Sequence, residues 1–517
     1  MTLNSITMIQ QKVRTDFDIL LSAVTGNEAQ KSTADQMERH LFKQLLRLGA
    51  NLLQLYFEIR STTYPRKEMM TETGKTLPYH SEKSRDYLSI FGELVIKRPY
   101  FYAKAAGSGS PLDAELGLGE DMYSDYVREL QEELSVAIPF DKGIAFLDNL
   151  LEIDLSKRCV QQLLKTDAAD VAAYYEQKPP PPVEEEAPIL VAQGDGKGVP
   201  IIKASANQAK VRLKRGEARS QKKAVTATAH YTIAPAPRTV DDVLTSLFEE
   251  NRSSPPTPRS GPQHKQLWGT LAGKEAALSQ LQSQVLKREG DHIQHRLLLC
   301  DGDPSLQAQL QKQFPHFTLI LDFIHVYERL WLVANTLYGQ DSAERLPWMR
   351  EQTRRLLEGQ ATAVADTCRH LAQETGRSTT QQATLLKAAN YYETNQKFMD
   401  YATYLAHGWP IASGVIEGVC RHFVKDRLEL SGMRWSQDGA ENLLHLRAVA
   451  ENKDWQAYHR FRQQQRQQRL YQRDWPEAVV LPTLSRLAKP ATQSATTSGK
   501  ADTSTTVPVY AELPLAV

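Results

Sequence analysis

Apolar positions recur along this chain in two rhythms, and the rhythm decides the element. Between Met37 and Ile59, Leu41, Leu45, Leu48, Leu52 and Leu55 return every three or four residues, which predicts a helix whose stripe meets a core or a dimer partner. Elsewhere the apolar residues run on and then stop at an acid. Val191-Ala-Gln-Gly-Asp195-Gly and Leu297-Leu-Leu-Cys-Asp301-Gly read as buried strands ending in sharp turns, with a carboxylate at each mouth. Leu319-Ile-Leu-Asp322 ends likewise and passes into a helix at about His325. A short helix over 305–314 joins the strands ending at Asp301 and Asp322, so they form a βαβ unit with both aspartates at one end of a sheet. The alternating run Ala224–Ile233 predicts an antiparallel neighbour for the Asp195 strand. Leu267–Glu289 reads as helical, as does everything between Trp331 and Ala406.

Composition shifts divide the chain. Residues 1–85 form a helical N-terminal region. Residues 86–175 hold a strand pair, with Leu94–Tyr102 strand-like, followed by a helix-turn-helix pattern. There Ile144, Leu147, Leu150 and Leu151 mark the first helix, and Ser156 caps a second that buries Val160, Leu163 and Leu164. Lys157, Arg158, Gln161 and Lys165 remain on the outside, where a recognition helix needs them. A helix pair that binds nothing carries the same signature. Residues 176–188 are a stiff Pro/Glu linker between this mainly helical half and a second unit over 189–450, which is all-α at about 332–406. A basic helical tail (451–484) and a disordered tail (485–517) follow.

With 517 residues and 41% apolar content, the chain can fill several cores. No apolar run approaches a membrane span, and no basic-then-apolar leader opens the chain, so cytoplasmic residence is expected. Cys159, Cys300, Cys368 and Cys420 lack paired spacing, which argues for reduced thiols. A formal charge of +1 conceals local asymmetry: nine Lys or Arg against Glu217 between Lys197 and Lys223, and five Arg without an acid between Arg460 and Arg473. Such patches suit phosphate contacts or a solvated face.

The chemistry rests on acids. Glu417, just after Ser413 and Gly414, projects from the edge of a helical stripe made by Ile416, Val419, Cys420 and Phe423. Carboxylates gathered from distant stretches can hold Mg²⁺ for phosphodiester chemistry. Each alone is as readily a turn residue or, for Glu417 with Arg421, a helix-surface pair.

Asp301-Gly302, Asp322-x-x-His325 and Ser431-Gly-Met-Arg-Trp-Ser436, with a weaker match at Asp195-Gly196, resemble the bacterial insertion-sequence transposases of the Kra family, relatives of the Mutator-like group. The similarity spans about residues 85–450. It implies an α/β ribonuclease-H-like catalytic domain with an all-helical insertion, preceded by mainly helical N-terminal and helix-turn-helix DNA-binding regions. It makes Asp195 the first-strand acid, Asp301 the fourth-strand acid and Glu417 the late-helix acid, holding two Mg²⁺ ions, with Mn²⁺ able to substitute. Asp303 rivals Asp301 for the second position. Asp322 and His325 stand beside the metals. Where some transposases of this type carry paired cysteines, Tyr102-Ala-Lys-Ala-Ala-Gly stands here, so no zinc ribbon is expected.

The implied function is cleavage at element ends followed by strand transfer into target DNA. The alternatives are a nuclease without joining, or an inactive DNA-binding regulator. Implied partners are double-stranded DNA, both terminal inverted repeats and target, and at least a second copy of the chain. Lys214, Arg215, Lys222, Lys223 and Arg434 are further candidate DNA contacts. Trp435 either stacks on an unpaired base or is buried against the Glu417 helix.

Overall fold

The computed structural model describes residues 2–70, 76–104, 107–203, 220–248, 260–339, 341–475 and 479–485. Candidate contacts Lys214 and Arg215, most of the 485–517 tail and most of the 252–263 loop lie outside them. The architecture is mixed α/β. Helices Thr2–Thr25 and Ala34–Thr63 open the chain, the second capped reciprocally by Thr33 and Gln36. Helix then gives way to strand earlier than residue 85. β1 (Met69–Met70) pairs with β2 (Thr76–Leu77), while β3 (Tyr79–Ser89), β4 (Gly92–Ala103) and β5 (Gly107–Gly109) form an antiparallel sheet. Residues 79–85 are polar at most positions, so their strand character comes from pairing with β4 and not from an apolar rhythm.

The central sheet has five strands: β6 (Ile189–Ile202), β7 (Ser220–Ile233), β8 (Gln263–Thr270), β9 (His295–Cys300) and β10 (Thr318–Leu321). Their spatial order is β10-β9-β6-β7-β8. β6, β9 and β10 run parallel, whereas β7 and β8 are antiparallel to their neighbours. Apolar residues fill β9 and β10 because helices cover both faces. The helix Pro304–Gln313 connects these two parallel strands.

Two expectations need correction here. Asp195-Gly196 is not a strand end. β6 continues to Ile202, paired with β7 over its whole length, although its parallel pairing with β9 stops at Gln193–Leu299. An Asp-Gly pair permits a turn, but the alternating β7 run supplies a ladder partner that keeps the backbone extended. Nor is Leu267–Glu289 one helix. Gln263–Thr270 is β8 on the β7 edge, and the helix begins only at Lys274, after Gly273 at the N-cap with a φ of 103°.

One apolar cluster joins the first half of β6 with β9, β10 and the insertion helices. A second joins Val199, Val225 and Trp268 to Leu443 and Leu444, and also to Val160 and Leu164 of the helix pair that precedes the linker. The two sides of the Pro/Glu linker therefore share a core. No helix among the described residues is long and apolar enough to cross a membrane.

Candidate active site

The C-terminal ends of parallel strands present backbone and side chains that the sheet cannot pair, so polar groups collect there. Asp301 follows β9 directly, and its Oδ1 accepts from the Asp303 amide at 3.1 Å. Burial, reinforced by the negative charge of Asp195, raises the Asp301 carboxyl above its ordinary range. Gly302 is required for space and not for a turn: a Cβ there would lie 2.5 Å from the Tyr391 ring. Asp303 has a different task. It caps the helix Pro304–Gln313 through the Ser305 and Leu306 amides and pairs with Lys274 at 2.7 Å. Although burial opposes it, the Lys274 bond leaves the Asp303 carboxyl below its usual value.

Asp322 ends β10 and is fully buried. Its Oδ1 accepts from the Ile324 amide at 3.2 Å, capping the helix Phe323–Leu337, and from the Ser413 amide at 3.0 Å. Its Oδ2 receives His325 Nδ1 at 2.6 Å, which leaves one lone pair on that oxygen. This bond to Asp322 outweighs burial and raises the imidazole to about 9. His325 is thus a cation at neutral pH, with Nδ1 committed and Nε2 left for other partners.

Glu417 sits in the short helix Gly414–Gly418, held from both ends of the sheet's open side. Ser413 is anchored by Asp322 and donates to Glu417 Oε1 at 3.4 Å, while the buried Gln193 of β6 accepts from the Ile416 amide at 3.0 Å. The Glu417 carboxyl is raised by burial and then by the charge of Asp322. The next turn, Val419–Lys425, is a π-helix, a feature frequent at functional sites. It brings Cys420 against Asp195, whose Oδ2 accepts from the thiol at 3.2 Å. Phe423 fits over Gly269 of β8, where a Cβ would meet its ring at 2.6 Å.

These contacts arrange the groups around one mouth. Asp195 touches Cys420 and acts on Asp301, while Glu417 neighbours Asp322 and His325. Ligand atoms of Asp322, His325 and Glu417 lie within 4.8 Å of one another, so this group can hold a metal ion if His325 gives up its proton. Among the described residues, Asp195, Asp301 and Glu417 do not by themselves meet that condition. Like charges resist closer approach, and a divalent cation is what draws carboxylates together.

The candidate DNA contacts fall into two sets. Lys157, Arg158, Gln161 and Lys165 are exposed on the helix Lys157–Ala168, which Ser156 caps, and Lys157 pairs with Asp141 at 2.7 Å. Arg434 is exposed, Lys223 is half-buried on the β6–β7 ribbon, and Lys222 pairs with Glu429. Trp435 is not available for stacking: its indole donates to the Leu428 carbonyl at 2.9 Å and packs edge-on against Phe140 under Arg427. Its backbone extends β6 through a bridge to Ile201. Most of the basic tail is likewise spoken for. Arg462 pairs with buried Asp167, Arg466 with Asp125 and Arg469 with Asp170, so the helix Trp455–Tyr471 is latched to the helices of residues 125–170. Gln193, Ser413 and Cys420 were not singled out for the site by the sequence. The Gln within the apolar Val-Ala-Gln-Gly strand is the one signal open to such a reading, since a buried amide demands partners.

Comparison with protein-family models and with curated proteins finds no match for this chain.

Proposed function

We propose that this protein is a metal-dependent DNA transposase with a ribonuclease-H-like catalytic domain, cleaving phosphodiesters at element ends and joining the freed 3′ ends to target DNA. One observation carries the reading. An acid on the first strand of the central sheet, an acid closing the fourth strand, and an acid on a late helix pinned to that first strand by Gln193 surround one mouth. The all-helical stretch between β10 and the Glu417 helix fits the same reading, since no strand occurs there among the described residues.

Asp195, Asp301 and Glu417 would hold two Mg²⁺ ions, with Mn²⁺ able to substitute. Such ions, when bound, would supply activation of the attacking oxygen and charge stabilisation at the leaving one. The chain's own residues do the positioning. Ser413 and Gln193 fix the height of Glu417 against the sheet, and Cys420 fixes the rotamer of Asp195. His325, its Nδ1 bonded to Asp322, would offer its free Nε2–H donor to a phosphate. DNA is bound by the exposed face of the helix Lys157–Ala168, by Arg434 and by the β6–β7 ribbon, and pairing two ends calls for a second copy of the chain.

The test is incubation of the purified chain and Mg²⁺ with plasmid carrying the element's ends. Wild type should nick at the ends and yield joined products. D195N, D301N and E417Q should bind the same DNA with unchanged affinity and yield neither. Cleavage without joining would establish a nuclease instead, and activity persisting in D301N would pass the second position to Asp303.

A further inference from the structure

A cavity of about 270 Å³ opens directly beside Asp301, lined by Gly302, His325, Glu328, Arg329, Leu332 and Tyr391. Its far wall belongs to the helical insertion, through Tyr391 of the helix Thr379–Asn395. The Arg329 guanidinium lies over the Tyr391 ring, 5.1 Å from its centroid, and among the described residues it has no carboxylate partner. Leu332, 49% exposed, stands at the rim.

The charge and shape of this cavity select among the parts of a DNA strand. Two carboxylates, Asp301 and Glu328, face two cations, His325 and Arg329, so the lining is balanced in charge and does not single out a second phosphate. A guanidinium plane, an aromatic ring and an aliphatic side chain offer flat, weakly hydrated surface, which favours a neutral π-system. The volume admits one nucleoside and excludes a duplex. Gly302 is part of this design, because a larger residue would displace Tyr391 from the wall.

We infer that this cavity receives the base of the nucleotide next to the reacting phosphate, with Arg329 and Tyr391 as its binding residues. The inference rests on the transposase reading and adds to it a binding subsite for one unstacked base. Extracting a base from the duplex costs a few kcal/mol, so a substrate already unpaired at that position should be cut faster by wild type.

The experiment uses the full-length chain on synthetic duplexes containing a mapped cleavage site. Each duplex is made in three forms: intact, or with a tetrahydrofuran abasic residue immediately 5′ or immediately 3′ of the cut. On intact DNA, R329A should lower kcat/KM by roughly tenfold or more, the scale of one lost stacking contact. Y391L should act in the same direction. On one of the two abasic duplexes R329A should match wild type, because the stacking contact and the cost of extracting the base are both gone. A merely structural role would depress R329A equally on all three duplexes, and that result overturns the inference, as does R329A behaving like wild type on intact DNA. Wild type showing no Mg²⁺-dependent cleavage on any duplex would overturn the transposase reading and this inference with it.

Discussion

Replacing Asp322 with asparagine keeps the side chain's shape and removes the charge that holds His325 protonated. The two amide bonds to Oδ1, from Ile324 and Ser413, can survive the change. The bond from His325 Nδ1 cannot survive in its charged form. Raising an imidazole from 6.5 to about 9 corresponds to an upper limit of ~3.4 kcal/mol at 1.36 kcal/mol per pH unit. The His325 side chain is 38% exposed, and solvent screening reduces that limit to about 1–2 kcal/mol. The sign follows from linkage. A histidine whose value is raised on folding contributes its full stabilisation below about 6.5 and loses it as pH rises through about 9. D322N should therefore lower the melting temperature at pH 6 by about 2 °C and have a much smaller effect at pH 9.5. Histidine-labelled protein, with H325Q used to assign the resonance, should show His325 titrating near 9 in wild type and below 7 in D322N. A penalty of equal size at both pH values, or a wild-type His325 that titrates near 6.5, would refute the reasoning.

Three further outcomes follow from other contacts. R462A removes one of the two guanidiniums on buried Asp167 and leaves Arg128 in place, a loss of about 1.5–3 kcal/mol, and should expose the helix Trp455–Tyr471 to limited proteolysis. G302A forces the Tyr391 ring aside and should cost about 1–3 kcal/mol, visible as a lowered melting temperature. Neutralising Lys157, Arg158 and Lys165 together should flatten the slope of log K against log salt by up to about 0.9 per lost phosphate contact, measured by fluorescence anisotropy on a DNA duplex.

What the sequence revealed and what it hid divide along physical lines. β9, β10 and the helix between them were legible because buried parallel strands are continuous apolar runs, each stopped here by an acid. Ser156 and the outward Lys157, Gln161 and Lys165 were legible because a cap and a helical period are local. The continuation of β6 past Asp195 was not, since it depends on a partner strand nearly thirty residues away along the chain. The basic tail misled for the same reason. Its apparent excess of charge ignores Asp125, Asp167 and Asp170, about three hundred residues earlier in the chain, which neutralise Arg462, Arg466 and Arg469. Trp435 was read with two outcomes open, and its buried indole and Leu428 bond select burial. For the site, each acid was identifiable singly. The links that bring the acids together, Gln193 to Ile416 and Cys420 to Asp195, are long-range and leave no local trace.

The most direct measurement is the anomalous diffraction of Mn²⁺ in crystals of the chain bound to a DNA end. Peaks bridging Asp195 and Asp301, with one shared by Glu417, are the predicted result, and they should vanish in D195N. Manganese bound only at Asp322 and His325, or no ordered manganese beside β6 and β9 with DNA in place, would contradict the account.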